Sequence, residues 1–192
     1  MKRIVLVHGW GGGPSADWFP WLIDELKKRN FDVIAPQLPD TDNPRIENWV
    51  PALAKAVGTP DQNTFFIGHS LGCQTIARYF ETLPQDIKVG TVIFVAGFFD
   101  SLNREEYDQD DMQTSNLWLN APLDLKRVKQ HISKSIYYIS EDDSDVPLSN
   151  KDKFASELGS EVITLNGYGH FKAEEGSTEI PIVLDKLLEI AK

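Results

Sequence analysis

The sequence predicts an α/β fold: a mostly parallel sheet of about six strands with helices on both faces. Two observations lead there. Short β-branched and aromatic runs alternate with stretches whose apolar residues recur at helical spacing. Between residues 64 and 83, a strand-like run, a glycine-flanked turn and a helix-like stretch follow one another directly. Repeated, such units build a parallel sheet through right-handed crossovers.

Taken in order, residues 3–7 read as a strand and 16–29 as a helix with Trp18, Trp21, Leu22 and Leu26 on one face. Residues 32–35 form a short strand ended by Pro36, and 46–57 a second helix. Thr64, Phe65, Phe66 and Ile67 suit a buried strand. From Leu71 to about Leu83, Ile76, Ala77, Phe80 and Leu83 lie at helical spacing, and Pro84 marks the stop. Residues 90–96 are a strongly apolar strand, 135–140 and 161–165 the last two. Residues 180–191 close the chain as a helix with Val183, Leu184, Leu187, Leu188 and Ala191 in one stripe. Residues 122–132 supply a crossover helix, which leaves 98–121 as a long connection. Phe98, Phe99, Leu117, Trp118 and Leu119 favour a short, packed, lid-like insertion there over disorder.

The length of 192 residues is that of one domain, 1–192, and no internal repeat or linker divides it. Hydrophobic residues at 41% and charged residues at 25% are ordinary for a soluble globular protein. No run approaches the ~20 apolar residues of a membrane span, so no membrane partner is expected. Met1, Lys2 and Arg3 imitate a signal peptide, but only four apolar residues follow before His8 and no cleavage site appears; a cytoplasmic location is expected. The single cysteine, Cys73, excludes an internal disulfide and a cysteine-based zinc site, and reads as a packed, inert thiol. A net charge of −10 argues against nucleic acid as a partner. Oligomeric state is not legible.

Gly68-His69-Ser70-Leu71-Gly72 carries the chemistry. A G-x-S-x-G turn between strand and helix holds its serine in a strained conformation with the hydroxyl exposed, and glycines two residues either side leave room where strand and helix nearly touch. A serine hydroxyl needs a base, normally a histidine oriented by a carboxylate. Of the four histidines, His8 and His69 read as packing or loop-shaping residues and His131 as a surface residue at a polar helix end. His170 lies in a glycine-rich loop directly after the last strand, where the order serine, acid, histidine places the base. The acid belongs after the preceding strand, within residues 141–145; Asp143 is the first choice and Asp142 the alternative. Oxyanion donors are expected from the Leu71 N–H, at its helix N-terminus, and from the glycine-rich loop after the first strand, with Trp10 as second donor and Gly11 as alternative. Phe98, Phe99 and Trp118 are candidates for an apolar acyl pocket, with core packing as the alternative. That glycine-rich loop fits no nucleotide-binding fingerprint: Pro14 stands where a third glycine is needed and no Gly-Lys pair occurs. The acidic run lacks the ordered spacing of a metal site. No cofactor and no metal are expected.

His8-Gly9, the pentapeptide, Asp143-Ser144-Asp145-Val146-Pro147 and Gly169-His170-Phe171 together resemble the α/β-hydrolase fold in its minimal form. Asp17-Trp18-Phe19-Pro20-Trp21-Leu22, and the turn continuing into Cys73, resemble more closely the YdeN-like serine hydrolases, a family that also contains retinoblastoma-binding protein 9. The likeness spans nearly the whole chain. Its Asp-x-x-Val-Pro pattern matches Asp143 and Pro147, so the resemblance implies a triad of Ser70, Asp143 and His170. The expected function is a cofactor-free serine hydrolase acting on small carboxylic esters, with amides and thioesters as further substrates. A protein-interaction module on a hydrolase scaffold is the alternative. Residues 100–111 carry six acids against one arginine and 141–145 four more acids, so a neutral or cationic substrate is expected.

Overall fold

Six parallel strands run in the order β2-β1-β3-β4-β5-β6; the computed structural model describes residues 2–191. The strands are β1 (Arg3–Val7), β2 (Asp32–Ile34), β3 (Thr64–His69), β4 (Val89–Val95), β5 (Ile132–Ser140) and β6 (Glu161–Leu165). The helices are α1 (Phe19–Lys28), α2 (Ile46–Val57), α3 (Leu71–Glu81), α4 (Gln109–Asn120), α5 (Leu125–His131), α6 (Asn150–Lys153), continued by a π-helical turn over Phe154–Leu158, and α7 (Pro181–Ile190). Among the described residues no helix is long and apolar enough to cross a membrane.

The period of two in the strands sorts the core into two layers. Val5, Val7, Phe66, Val92, Phe94, Tyr137 and Ile139 face α2, α3 and α5. Ile4, Leu6, Ile67, Ile93, Val95, Ile136 and Tyr138 face α1 and α7. Parallel register aligns the strand ends: Val7 lies opposite Gly68, His69 opposite Val95, and Ser140 opposite Leu165. The residues that follow β1, β3, β5 and β6 therefore emerge at one edge.

Three expectations need correction. The first helix starts at Phe19 rather than residue 16, because Asp17 sits at φ 50°, which interrupts a helix, and Pro20 suits the first turn. The connection 98–121 contains a full helix, α4. Its first turn is set by Asp108, whose Oδ1 accepts the N–H groups of Asp110 and Asp111 at 2.8 and 2.9 Å. His131 is not on the surface. It is fully buried against Phe80, and its Nδ1–H donates to the Ile87 carbonyl at 2.8 Å.

Candidate active site

The turn from β3 into α3 holds Ser70 at φ 52°, ψ −122°, with its N–H bonded to the Val95 carbonyl at 2.9 Å. Both flanking glycines are sterically required. A Cβ on Gly72 would stand 2.1 Å from the Val7 carbonyl oxygen, and one on Gly68 would stand 2.8 Å from the Ile76 side chain and 3.0 Å from the Cys73 nitrogen. Gly72 thus lets α3 approach β1, while Gly68 lets β3 approach α3. A Cβ on Gly9 would meet the Ser70 Cβ at 2.9 Å, so the loop after β1 touches the serine through bare backbone.

The loop after β6 brings His170 to Ser70, with Nε2 to Oγ at 2.9 Å. The ring is buried, and Nδ1 lies 3.0 Å from both Asp143 carboxylate oxygens. This fixes the tautomer: Nδ1–H donates to Asp143, and Nε2 accepts from the serine hydroxyl. Asp143 is itself held by the N–H groups of Asp145 and Val146, at 2.9 and 2.8 Å to Oδ1. Asp142, the alternative acid, is engaged elsewhere. Its Oδ1 accepts from the Ser140 hydroxyl and from the N–H groups of Gly167 and Gly169, shaping the turn that precedes His170.

The backbone around His170 is fixed on both sides. Its N–H donates to Glu175 Oε2 at 2.7 Å, and its carbonyl accepts from His69 Nε2–H at 2.8 Å. His69 is buried, and desolvation first, then the neighbouring His170, push it from 6.5 down to about 4. Burial likewise lowers His8, whose Nε2 accepts the Leu38 N–H at 3.0 Å. Both histidines are therefore neutral shapers of loops. Cys73 is buried with Sγ 3.3 Å from the Gly68 carbonyl, and burial pushes its thiol up, away from reactivity.

The loop 8–13 faces the serine. Gly11 N–H donates to the Thr41 carbonyl at 2.8 Å, whereas among the described residues the N–H groups of Trp10 and Leu71 have no protein acceptor. The Trp10 ring stands edge-on to Tyr107, with centroids 5.9 Å apart. A cleft of about 580 Å³ opens over Ser70 and His170, and Phe98, Leu102, Tyr107 and Asp111 line it from the connection after β4. Of the three aromatic residues expected at an acyl pocket, Phe98 does line this cleft. Phe99 and Trp118 do not: Phe99 packs on Phe154 and Phe94, and Trp118 is buried against Trp49 with its Nε1–H on the Pro44 carbonyl.

Sequence reasoning missed Asp145 and Lys172 as residues beside His170. Asp145 Oδ2 lies 3.8 Å from His170 Nε2 and 2.8 Å from Lys172 Nζ. It also missed Asn150. Fully buried, Asn150 accepts from the N–H groups of Phe99 and Asp100 at 3.1 and 3.2 Å and donates to the Ser101 and Pro147 carbonyls at 3.0 and 3.1 Å. Asn103 adds a second tie, its N–H to the Asp145 carbonyl and its amide to that of Ser144. These links join segments far apart in the chain and leave no local pattern.

Residues 4–189 match the family described as Serine hydrolase. The protein YdeN of Bacillus subtilis (strain 168) is 29% identical over 186 residues, which cover 97% of this chain and 94% of YdeN. The crystal structure of the B. subtilis ydeN gene product matches with a TM-score of 0.89 at 28% identity, over 99% of this chain and 98% of that one. A carboxylesterase from the thaumarchaeon Nitrososphaera gargenis matches with a TM-score of 0.73 at 16% identity, over 99% of this chain and 90% of that one; this likeness concerns the fold alone. The sheet order, the strained serine between β3 and α3, and a match running almost from end to end lead to one statement: this chain has an α/β-hydrolase fold and belongs to the serine hydrolase family.

Proposed function

We propose that the chain hydrolyses small carboxylic esters through an acyl-enzyme on Ser70, with His170 as general base and Asp143 as the acid that orients it. The observation that carries this reading is the continuous relay of Ser70 Oγ, His170 Nε2 at 2.9 Å and, beyond Nδ1, the Asp143 carboxylate at 3.0 Å. His170 takes the hydroxyl proton as Oγ attacks the ester carbonyl. The N–H groups of Leu71 and Trp10 bind the oxyanion, and the leaving alcohol receives its proton from His170. Water then loses a proton to His170, attacks the acyl-enzyme and releases the carboxylic acid and Ser70. The choice of Trp10 over Gly11 rests on their backbones: the Gly11 N–H is committed to Thr41 and that of Trp10 is not.

The same reading takes the chain as one catalytic domain, with 98–121 as its short lid, since Leu102, Tyr107 and Asp111 overlook the cleft. Phe98 forms part of the acyl pocket. Among the described residues, Asp17, Asp111, Asp145 and Glu174 line the cleft against a single ammonium, Lys172, so neutral and cationic esters are the favoured substrates. Ester rather than amide is the primary choice because an alcohol leaving group makes less demand on the acid than an amine, and thioesters stand as further substrates.

A fluorophosphonate probe should label the wild type at Ser70 and leave Ser70→Ala unlabelled, with ester turnover reduced by on the order of 10⁵-fold or more. Folded wild type without Ser70-dependent labelling would overturn the proposal. In the same assay at low salt, kcat/KM should fall from a cationic to a matched anionic ester; the reverse order removes the charge argument.

A further inference from the structure

We infer that the Asp145–Lys172 ion pair is an electrostatic positioning device for the general base, setting the proton affinity of His170 from its Nε2 side. The inference rests on His170 being that base. Asp143 occupies the Nδ1 side, as any triad acid does; Asp145 is a second carboxylate on the reacting side.

Asp145 Oδ2 is 3.8 Å from Nε2, close enough for strong attraction to an imidazolium and beyond hydrogen-bond distance. Its position is over-determined. Lys172 Nζ holds Oδ2 at 2.8 Å, and the Ser144 hydroxyl donates to Oδ1 at 3.0 Å. The Asp145 N–H is bonded to Asp143, and its carbonyl receives the Asn103 N–H at 2.8 Å. During turnover, Nε2–H must pass its proton to the leaving group. A freely rotating carboxylate would capture that N–H and stall the transfer; one tethered by Lys172 stabilises the imidazolium without bonding to it. The Asp145 carboxyl reflects its surroundings: burial pushes it up, but His170 and Lys172 prevail and the net shift is downward.

Several other groups face this site. From the elbow, His69 is neutral; from the β1 loop comes Asp17, from the lid Tyr107 and Asp111, and from the loop after β6 Glu174 and Glu175. Burial, then Asp145 and Asp111, push the Tyr107 phenol up to about 12, so it stays neutral. The acidic residues share the sign of Asp145, and among the described residues Lys172 is the sole ammonium or guanidinium in the cleft wall.

The signs follow. The base works unprotonated, so kcat/KM falls along the acidic limb of its pH profile as His170 takes up a proton. Asp145→Asn removes a negative charge 3.8 Å from Nε2 and moves the acidic limb to lower pH, by about half to one unit. Its plateau rate falls several-fold because the imidazolium loses support. Lys172→Met removes a positive charge and frees Asp145, moving the limb to higher pH by a similar amount. The double variant Asp145→Asn/Lys172→Met removes both charges, and its limb returns to within about 0.3 units of wild type.

The experiment is a pH profile of kcat/KM with a neutral ester for these four proteins, alongside fluorophosphonate labelling at Ser70. Opposite single shifts that cancel in the double variant support the inference; a packing defect would lower the rate without moving the limb. Shifts of one sign, or limbs that stay put while turnover remains Ser70-dependent, overturn it and leave the triad standing. Turnover that survives Ser70→Ala overturns the triad instead. Lys172 touches the pair only with its ammonium, so its variant reads the limb even if Asp145→Asn fails to fold.

Discussion

Ser70 occupies a backbone region that glycine alone enters freely, φ 52° with ψ −122°. Such a residue stores about 1–3 kcal/mol of strain, and the sheet holds it in place through the Ser70 N–H on Val95. Replacing it by glycine should release part of that strain. We expect Ser70→Gly to melt about 2–4 °C higher than wild type, as a gain of about 1 kcal/mol gives in a chain of this size, while labelling by fluorophosphonate is lost. A lower melting temperature would show that the turn is unstrained. Ser70 and His170 were legible in the sequence because Ser70 sits between two glycines after an apolar run and His170 follows two glycines just after the last strand. Asp145 and Lys172 were not: what they do depends on two loops meeting in space. His131 misled for a related reason, since Lys129 and Gln130 beside it point outward while the opposite face of the same short helix is buried.

At the scale of elements, all six strands could be read from their apolar runs, and α2 within its observed bounds. The exceptions were α6 with its π-helical continuation, and α4, where only Thr114, Ser115 and Trp118 are buried and no apolar stripe announces a helix. Its one local signal was Asp108 followed by two acids in the first turn. What secures α4 is remote. Arg78, buried on α3, donates to the carbonyls of Trp118, Ala121 and Pro122 at 2.8, 3.1 and 3.0 Å, and its guanidinium lies 5.7 Å from the centre of the Trp118 ring. Arg78→Met keeps most of the apolar volume and strands three carbonyls. We expect a loss of about 2–4 kcal/mol in urea unfolding, with faster limited proteolysis within residues 104–121. Unchanged proteolysis would mean that α4 is held by Trp118 packing alone.

For the whole molecule, His8 and His69 tie acid stability to the fold. Both have pKa values below 6.5 when folded. The unfolded chain therefore binds more protons in that range, so the stabilisation is complete above about pH 6.5 and is lost as pH falls toward about 4. His69 alone should account for on the order of 3 kcal/mol across this window. The urea midpoint should drop between pH 7 and pH 5, and His69→Gln, which keeps an N–H for the His170 carbonyl, should flatten that drop. An unaltered pH dependence in the variant would assign the effect to other groups. A different consequence follows from the Asn150 amide, which bolts residues 99–101 to the turn after Asp143, and from Asn103, which clasps Ser144 and Asp145. The roof of the cleft has a fixed hinge-plate and an interchangeable panel. Anyone exchanging this panel for one from a relative, to alter what the enzyme admits, should cut after Asn103 and before Pro122. An earlier cut would carry off the plate on which the loop of Asp143 is mounted.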